Sequence, residues 1–151
     1  MTRWTQGSYE IDTSRARLDV EVVRAFLAGS YWAEGIPIEV VEAACDGSLC
    51  FGLYQMPADG NTGAQVGFAR VVTDLATFGY LADVFVLEPH RGQGLSKWLV
   101  TCVLEDPRLQ GFRRWMLATR DAHGLYERFG FRALASPGKF MEMAHPEIYL
   151  K

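Results

Sequence analysis

The residues with the clearest chemical potential stand in the loop EPHRGQGLS, residues 88–96. Gly92 and Gly94 lie directly before an apolar spacing that predicts a helix. Glycine costs roughly 0.5–1 kcal/mol relative to alanine inside a regular element, so its use here indicates a demand on the backbone. The unpaired N–H groups at a helix N-terminus bind phosphate, and Arg91 adds a positive charge. The loop therefore predicts an anion site, and a simple glycine turn with a surface arginine is the alternative.

Two common phosphate-binding motifs do not fit this loop. A P-loop needs GxxxxGK followed by Ser or Thr, and no stretch of the chain matches that pattern. A dinucleotide fingerprint needs a third glycine, and Lys97 occupies that place. Both kinds of nucleotide site are therefore excluded.

The longer stretch VLEPHRGQGLS resembles the acetyl-CoA loop of the GCN5-related N-acetyltransferases, the GNAT superfamily. That loop has Arg or Gln, two residues, Gly, one residue, then Gly or Ala, and it follows a strand that ends in Val. Val86, Arg91 and Gly94 fill these places. Ser96 stands in the last place, where it is small but departs from the Gly or Ala of the family.

A second motif of the same superfamily follows in TRDAHGLYERFGF, residues 119–131. The family pattern is Asn-x-x-Ala-x-x-Leu-Tyr before Gly-Phe. The positions that match it are Ala122, Leu125, Tyr126, Gly130 and Phe131. Thr119 stands where the family often has Asn. The two motifs, in this order and at this separation, identify the chain as similar to GNAT enzymes.

The resemblance implies that acetyl-CoA is the co-substrate and that no metal takes part. Main-chain N–H groups of the loop would bind the pyrophosphate. Backbone groups of the preceding strand would bind the pantetheine arm, because in this family that strand splays away from the next. An N–H of Val84 would polarise the thioester carbonyl. The implied cofactor-binding residues are Val84, Val86, Arg91, Gly92, Gln93, Gly94, Leu95, Ser96 and Thr119.

Two side chains are the main candidates for moving protons. Tyr126 is the implied donor to the leaving thiolate, since a free phenol has a pKa of about 10 and is protonated near neutral pH; a core role is its alternative. Asp83 is a charge within the apolar run YLADVFVL, where a carboxylate needs a partner. It either takes the proton of the acceptor amine or is a structural acid, and Glu34 is a second candidate base. His90 and His123 lie near the motifs, but the family pattern requires neither.

The acceptor pocket is predicted from the region after the first helix, which lines that pocket in this family. Tyr31, Trp32 and Glu34 stand there. Aromatic walls with an acid suit a small cationic amine. Packing of the two aromatic side chains at a helix end is the alternative.

The elements that position these residues follow a mixed α/β pattern. Two helices are predicted from the apolar spacing of RLDVEVVRAFLAGSYW and PIEVVEAACDG. A hairpin is predicted from the strands LCFGLYQ and QVGFARVVT, joined by the loop MPADGNTGA. YLADVFVL predicts a central strand covered on both faces. After the glycine loop come a helix ended by Pro107, the strand RWMLAT, the helix DAHGLYERFGF and two closing strands, FRAL and KFMEM. The predicted order is β-α-α-β-β-β-α-β-α-β-β. The resemblance implies the GNAT acyl-CoA N-acyltransferase fold, a central twisted sheet flanked by helices.

Composition limits the classes of function. The 151 residues are 49% hydrophobic with a net charge of -3, which excludes a global basic field for nucleic acid. No linker divides the chain, so one N-acetyltransferase domain over residues 1–151 is expected. No signal-peptide core or membrane-spanning run is found, so no membrane role is expected. Cys45, Cys50 and Cys102 lack metal-ligand spacing and predict buried thiols in a reducing compartment, the cytoplasm. The oligomeric state is open, with a homodimer among the options.

The sequence thus predicts an N-acetyltransferase that moves the acetyl group of acetyl-CoA to a primary amine of a small molecule by direct attack. Acetylation of a protein N-terminus or lysine is a second hypothesis. A third is a non-catalytic acyl-CoA-binding or sensor domain, because Ser96 and Thr119 both depart from the family pattern.

Overall fold

A six-stranded sheet with its strands in chain order runs through the protein, in a computed structural model that describes residues 2–61 and 63–150. The strands are β1 Arg3–Gln6, β2 Tyr9–Asp12, β3 Leu49–Gln55, β4 Ala64–Thr73, β5 Phe78–Val86 and β6 Arg114–Leu117. The helices are α1 Val20–Ala28, α2 Ile38–Asp46, α3 Leu95–Glu105 and α4 His123–Glu127. Strands β1 to β5 pair antiparallel, and β6 joins β5 in parallel. The mixed α/β fold expected from the sequence is confirmed.

Local sequence signals account for the helix ends. The Asp19 carboxylate accepts a hydrogen bond from the Val22 N–H at 3.3 Å and so starts α1. Gly29 and Gly47 follow α1 and α2 directly. Helix α3 begins immediately after Gly94. No helix in residues 2–61 and 63–150 is long and apolar enough to cross a membrane.

The sheet has an apolar core on each face. Val23 and Leu27 of α1 pack with Val41 of α2 and with Phe68 and Phe85 of the sheet. On the other face, α3 and α4 cover a second buried cluster, whose members include Phe51, Leu53, Leu81, Leu99, Val103 and Tyr126. The prediction that β5 is covered on both faces is therefore confirmed.

A β-bulge interrupts β5 at Asp83. The register between β4 and β5 shifts between Phe68 and Arg70, and Asp83 has a φ of 55°. Asp is among the few non-glycine residues found in this left-handed region. The extra residue lets Leu81 face the α3 core while Phe85 faces the α1 core. A bulge also bends its strand, which helps β5 turn away from β6.

Two sequence predictions of strands are wrong. FRAL and KFMEM form no strand, and the described residues from 132 onward make only short-range backbone hydrogen bonds. At the other end of the sheet, two strands precede α1 where the sequence predicted one. Gly7, with a φ of 57°, permits the turn between them.

A cluster of buried charges fixes the chain before α1. Asp12 accepts from the Ser14 N–H at 2.9 Å and from the Arg17 guanidinium at 3.0 Å. Arg17 also donates to Glu10. Burial alone would raise the pKa of the Asp12 carboxyl, but the Ser14 N–H and the Arg17 guanidinium outweigh burial and hold that pKa below its usual value. The cluster therefore ties β2 to the start of α1.

We expect Asp12→Asn to destabilise the protein near neutral pH by about 1.5–3 kcal/mol, the range for hydrogen bonds to charged groups. Because the folded-state pKa is lowered, this stability exists above the unfolded pKa of about 3.9 and is lost as the pH falls through the folded value. The gap between parent and variant should therefore close in acid. Urea unfolding at several pH values measures it, with the exposed Glu127→Gln as control. A gap that stays constant down to strongly acidic pH would contradict the prediction.

Candidate active site

A cleft of about 890 Å³ opens where β5 and β6 separate. The two strands pair from Phe78 and Arg114 to Leu81 and Leu117 and not beyond, among the described residues. The splay expected for this strand is therefore present. One wall of the cleft is the loop between α1 and α2, and the opposite wall is the loop between β6 and α4. The cleft reaches the start of the glycine loop at Arg91.

The glycine loop presents a row of free amides. Gly92 and Gly94 have φ values of 81° and 76°, and a Cβ on either would meet open space. Within the described chain, none of the N–H groups from Gly92 to Lys97 has a hydrogen-bond partner. These amides include the first turn of α3, whose dipole is positive at this end. The geometry is that of an anion-binding nest.

Tyr9 of β2 and side chains of the loop itself hold this loop in place. The Tyr9 hydroxyl on β2 lies 2.9 Å from His90 Nδ1, and the Gln93 amide donates to the Tyr9 oxygen at 3.3 Å and to the His90 carbonyl at 3.2 Å. Arg91 Nε donates to the Val86 carbonyl at 2.8 Å. Sequence reasoning missed Tyr9, since no motif links a residue of the first strands to this loop. Four polar contacts therefore orient the loop that carries the free amides.

Asp83 is fully engaged by its neighbours. Its Oδ2 accepts from Arg70 Nε at 2.9 Å, and its Oδ1 accepts from Trp32 Nε1 at 2.8 Å. Arg70 also donates to the Ser48 hydroxyl at 3.0 Å. Asp83 thus has the partners that a structural acid needs, and Arg70 is a partner that the sequence did not reveal. The role of Asp83 as a base stays a prediction.

Tyr31 and Trp32 form an aromatic wall. Both are substantially exposed, and their rings meet edge to face with centroids 5.1 Å apart. The Tyr31 hydroxyl accepts from the Arg120 N–H at 3.0 Å, and the Arg120 guanidinium lies 3.8 Å from the centre of the Tyr31 ring. This contact joins the two walls of the cleft. Both aromatic residues line the cleft, as predicted, whereas Glu34 is exposed and lies outside its lining.

Tyr126 lies on the cleft wall formed by α4. It is 8% exposed, and its ring meets Phe131 edge to face with centroids 6.0 Å apart. Burial, and to a smaller extent the neighbouring Tyr31 phenol, raises the pKa of the Tyr126 phenol above its usual value. The hydroxyl is therefore protonated at neutral pH and available as a proton donor.

The remaining predicted residues divide between the cleft and the nest. Val84 and Thr119 line the cleft, and the Thr119 hydroxyl accepts from the Ala122 N–H at 3.0 Å, which orders the start of α4. Leu95 and Ser96 contribute first-turn amides of α3. Their binding of a cofactor stays a prediction. Residues of the described segments offer no group of three or more potential metal ligands.

Comparison with known proteins gives consistent matches. A family model described as an acetyltransferase (GNAT) domain matches residues 48–133, which include both motifs. A curated Gibberella zeae protein with an acetyltransferase name is 36% identical over 140 residues, covering 82% of this chain and 78% of its own. A GNAT-family crystal structure from Xanthomonas campestris pv. campestris is 44% identical, with a TM-score of 0.88 over 97% of this chain and 100% of that one. A Clostridium acetobutylicum protein solved with acetyl-CoA shares the fold, with a TM-score of 0.62, 12% identity and coverage of 90% and 94%.

The free amides lead to a test at Gly94. Gly94→Ala should weaken the binding of CoA by at least about tenfold, or roughly 1.4 kcal/mol, because the methyl group enters the space that an anion needs. The matched control is Gly111→Ala, since Gly111 also has a positive φ, of 78°, and open space around its Cβ position. Both variants should lose a similar ~1–2 kcal/mol of stability from left-handed strain.

Isothermal titration calorimetry with CoA, beside thermal unfolding, separates the two effects. Equal CoA affinity in the folded Gly94→Ala and Gly111→Ala variants would refute the anion nest.

Proposed function

The chain belongs to the GNAT acetyltransferases, and we propose that it transfers the acetyl group of acetyl-CoA to the primary amine of a small molecule by direct attack. The family inferred from the two motifs is confirmed, and with it the enzyme class and the use of acetyl-CoA. The acceptor, the direct mechanism and the residue roles are the proposal. The observation that carries it is the row of free amides beside a cleft whose wall holds a protonated phenol.

The amides from Gly92 to Lys97 fit the pyrophosphate of acetyl-CoA, because they offer several donors at a positive helix end. The bend of β5 leaves the strand beyond Leu81 unpaired by β6, which suits a peptide-like pantetheine arm. Val84 and Val86 would present their backbone groups to it. The Val86 carbonyl already accepts from Arg91, so Val84 has the freer edge.

Acetyl-CoA supplies an acetyl group on a thioester, at whose carbonyl carbon the amine nitrogen forms a new bond. Tyr126 donates its phenolic proton to the sulfur as the carbon–sulfur bond breaks. The proton lost by the amine goes to a base, for which we propose Asp83, directly or through water. The Val84 N–H stabilises the negative charge that develops on the carbonyl oxygen.

The acceptor side of the cleft favours an amine with an apolar or aromatic body. Tyr31, Trp32 and Phe26 line it, and Asp83 is already matched by Arg70. Arg120 adds a further cation at the rim. A polyamine would meet this positive charge unfavourably, whereas a monoamine would stack on the aromatic wall. The cytoplasm is the proposed location and accords with three free cysteines among the described residues.

A panel of acceptors tests this assignment. We expect CoA release with acetyl-CoA and small aromatic or apolar monoamines. Turnover with peptides but with none of the small amines would show instead that the acceptor is a protein amine. Tight acetyl-CoA binding without turnover on any amine would make the protein a sensor domain.

The sharpest test of the proton donor removes one oxygen atom. Tyr126→Phe keeps the ring that packs against Phe131, so folding and CoA binding should survive. The rate of the chemical step should fall by about 10²–10⁴-fold, the usual contribution of a general acid or base. Single-turnover measurement with the best amine of the panel prevents product release from hiding the effect.

Tyr54→Phe is the matched control, because Tyr54 is another buried phenol and lies outside the cleft lining. If the Tyr126→Phe enzyme transfers acetyl groups at the parent rate, the phenol is not the proton donor and Tyr126 has only a structural role.

Asp83 needs a test that separates catalysis from structure. Asp83→Asn alone should lower both turnover and stability, because it leaves the partly buried Arg70 without its counter-ion. Combining it with Arg70→Gln replaces the ion pair by a neutral pair, which should recover most of the melting temperature. We expect turnover at neutral pH to stay at least about 10²-fold below the parent, the lower end of what a lost general base costs.

Thermal unfolding and initial rates on the double variant provide the comparison. If the rate returns together with the melting temperature, Asp83 is a structural residue and the base lies elsewhere.

A further inference from the structure

The guanidinium of Arg120 is a cation without a counter-ion at the rim of the cleft. Among residues 2–61 and 63–150, no carboxylate pairs with it and no acceptor receives its side-chain N–H donors. Its carbon lies over the Tyr31 ring, 3.8 Å from the ring centre, and the Arg120 main-chain N–H donates to the Tyr31 hydroxyl at 3.0 Å. The cation–π contact uses the charge of the group and none of its donors. Tyr31 therefore holds a guanidinium whose donors are still available.

The other charges of the cleft leave Arg120 unmatched. Arg70 and Asp83 pair with each other, Nε and Oδ2 being 2.9 Å apart. Arg91 lies at the start of the glycine loop, where its Nε donates to a carbonyl of β5. Asp121 lines the same rim but is exposed and makes no ion pair in the described segments, so solvent screens its charge. An anionic group of a ligand would thus meet one unmatched positive charge here.

Arg120 also stands close to the reacting groups proposed above. Burial contributes most to the raised pKa of the Tyr126 phenol, and the Tyr31 phenol adds to it because the two side chains are neighbours. The Tyr31 hydroxyl is the group that accepts from the Arg120 N–H. One small molecule can therefore place its amine beside Tyr126 and another group beside Arg120.

Between these two ends lies an apolar wall. The Trp32 ring is 43% exposed, and its centroid lies 5.1 Å from that of Tyr31 and 6.2 Å from that of Phe26. The Trp32 indole N–H is already used by Asp83, so the exposed part of the ring offers only apolar surface. The wall suits an apolar or aromatic side chain, and the guanidinium at its end suits an anion.

A carboxylate fits this guanidinium better than a phosphate does. It carries one negative charge and two oxygens in a plane, which match two parallel N–H groups of a single arginine. A phosphate monoester carries about -1.5 to -2 charges at pH 7 and three acceptor oxygens. One exposed arginine would leave part of that charge unmatched.

We propose that the acceptor is an amino acid with an apolar or aromatic side chain, whose carboxylate binds Arg120 while its amine takes the acetyl group. The amine nitrogen bonds to the acetyl carbon as the carbon–sulfur bond breaks, the sulfur gains a proton and the amine loses one. The carboxylate does not react, so the products are an N-acetyl amino acid and CoA. This inference rests on the proposed function, because it names the acceptor class of the same site.

Matched acceptors test the role of the carboxylate. Phenylalanine, tryptophan and leucine are each compared with the amino alcohol that has the same side chain and amine but no carboxylate. With the parent enzyme and acetyl-CoA, kcat/KM for the best amino acid should exceed that for its alcohol at least about fivefold, since a ligand that partly shields this contact places it between an exposed and a buried charged hydrogen bond.

Arg120→Gln should reduce this ratio to about one. The change should come mainly through a higher KM for the amino acid, because the carboxylate contact is the same before and during the reaction. The matched control is Arg128→Gln, an exposed arginine outside the cleft lining, which should keep the parent ratio. Melting temperatures should stay unchanged in both variants, because both residues are exposed.

Binding without turnover separates this inference from the proposed function. In calorimetric titration of the amino acid into protein saturated with CoA, affinity should fall at least about fivefold in Arg120→Gln and not in Arg128→Gln. Binding that depends on Arg120, without turnover on any acceptor, would support the carboxylate site and refute acetyl transfer. A parent kcat/KM no higher for the amino acid than for its alcohol, or a ratio unchanged in Arg120→Gln, overturns the carboxylate site and leaves acetyl transfer standing. Neither binding nor turnover would overturn both.

Discussion

The bulge at Asp83 is the constraint on which the cleft depends. A regular β5 would continue beside β6, and the two strands would close the space between them. The extra residue, in the left-handed region at a φ of 55°, bends the strand, and pairing with β6 ends at Leu81. The bulge in turn requires something to hold it, because such a conformation costs free energy. Arg70 and Trp32 do this by engaging both carboxylate oxygens. Asp83, the candidate catalytic base, therefore also anchors the bend of β5 that opens the cleft.

The anion nest depends on a different principle, since its donors are backbone amides whose direction follows from the helix. Leu95, Leu99 and Val103 bury one side of α3 in the core, which fixes the axis and thus the direction of the first-turn N–H groups. The glycines add no binding group of their own. They permit a loop that leaves those amides accessible, and Tyr9 holds the loop from the far side through His90 and Gln93. Burial of α3 and four polar contacts thus turn a common helix end into a candidate anion site.

The sequence predicted those features that depend on residues close together in the chain, namely helix ends, the hairpin and the family motifs. Gly29 and Gly47 mark helix ends within a few residues, and the helices and the β3–β4 hairpin formed where expected. The two motifs identified the family because both lie within short stretches. Long-range contacts could not be predicted. Tyr9 and His90 are 81 positions apart, and no residue pattern around either one indicates a contact with the other. KFMEM failed as a strand because strand formation needs a neighbouring strand, and residue preference alone does not supply one.

One half of the cleft offers main-chain groups and the other offers exposed side chains. This difference decides which substitutions could alter recognition without unfolding the protein. The half that we propose for acetyl-CoA offers main-chain groups of a buried helix and of a bulged strand, so most side-chain changes there would disturb the fold before they altered recognition. The proposed acceptor half is lined by the exposed residues Tyr31, Trp32 and Arg120. Tyr31 meets Arg120 across the cleft through a hydrogen bond from the Arg120 main-chain N–H and a cation–π contact with its guanidinium. Surface substitutions of this kind usually cost little stability. Trp32 is the exception, because its indole also holds Asp83 and through it the bulge. If this half takes the acceptor as proposed, Tyr31 and Arg120 are the positions where acceptor preference can shift at the least cost to the fold. Trp32 would then link the choice of acceptor to the shape of β5, the strand proposed to bind the cofactor.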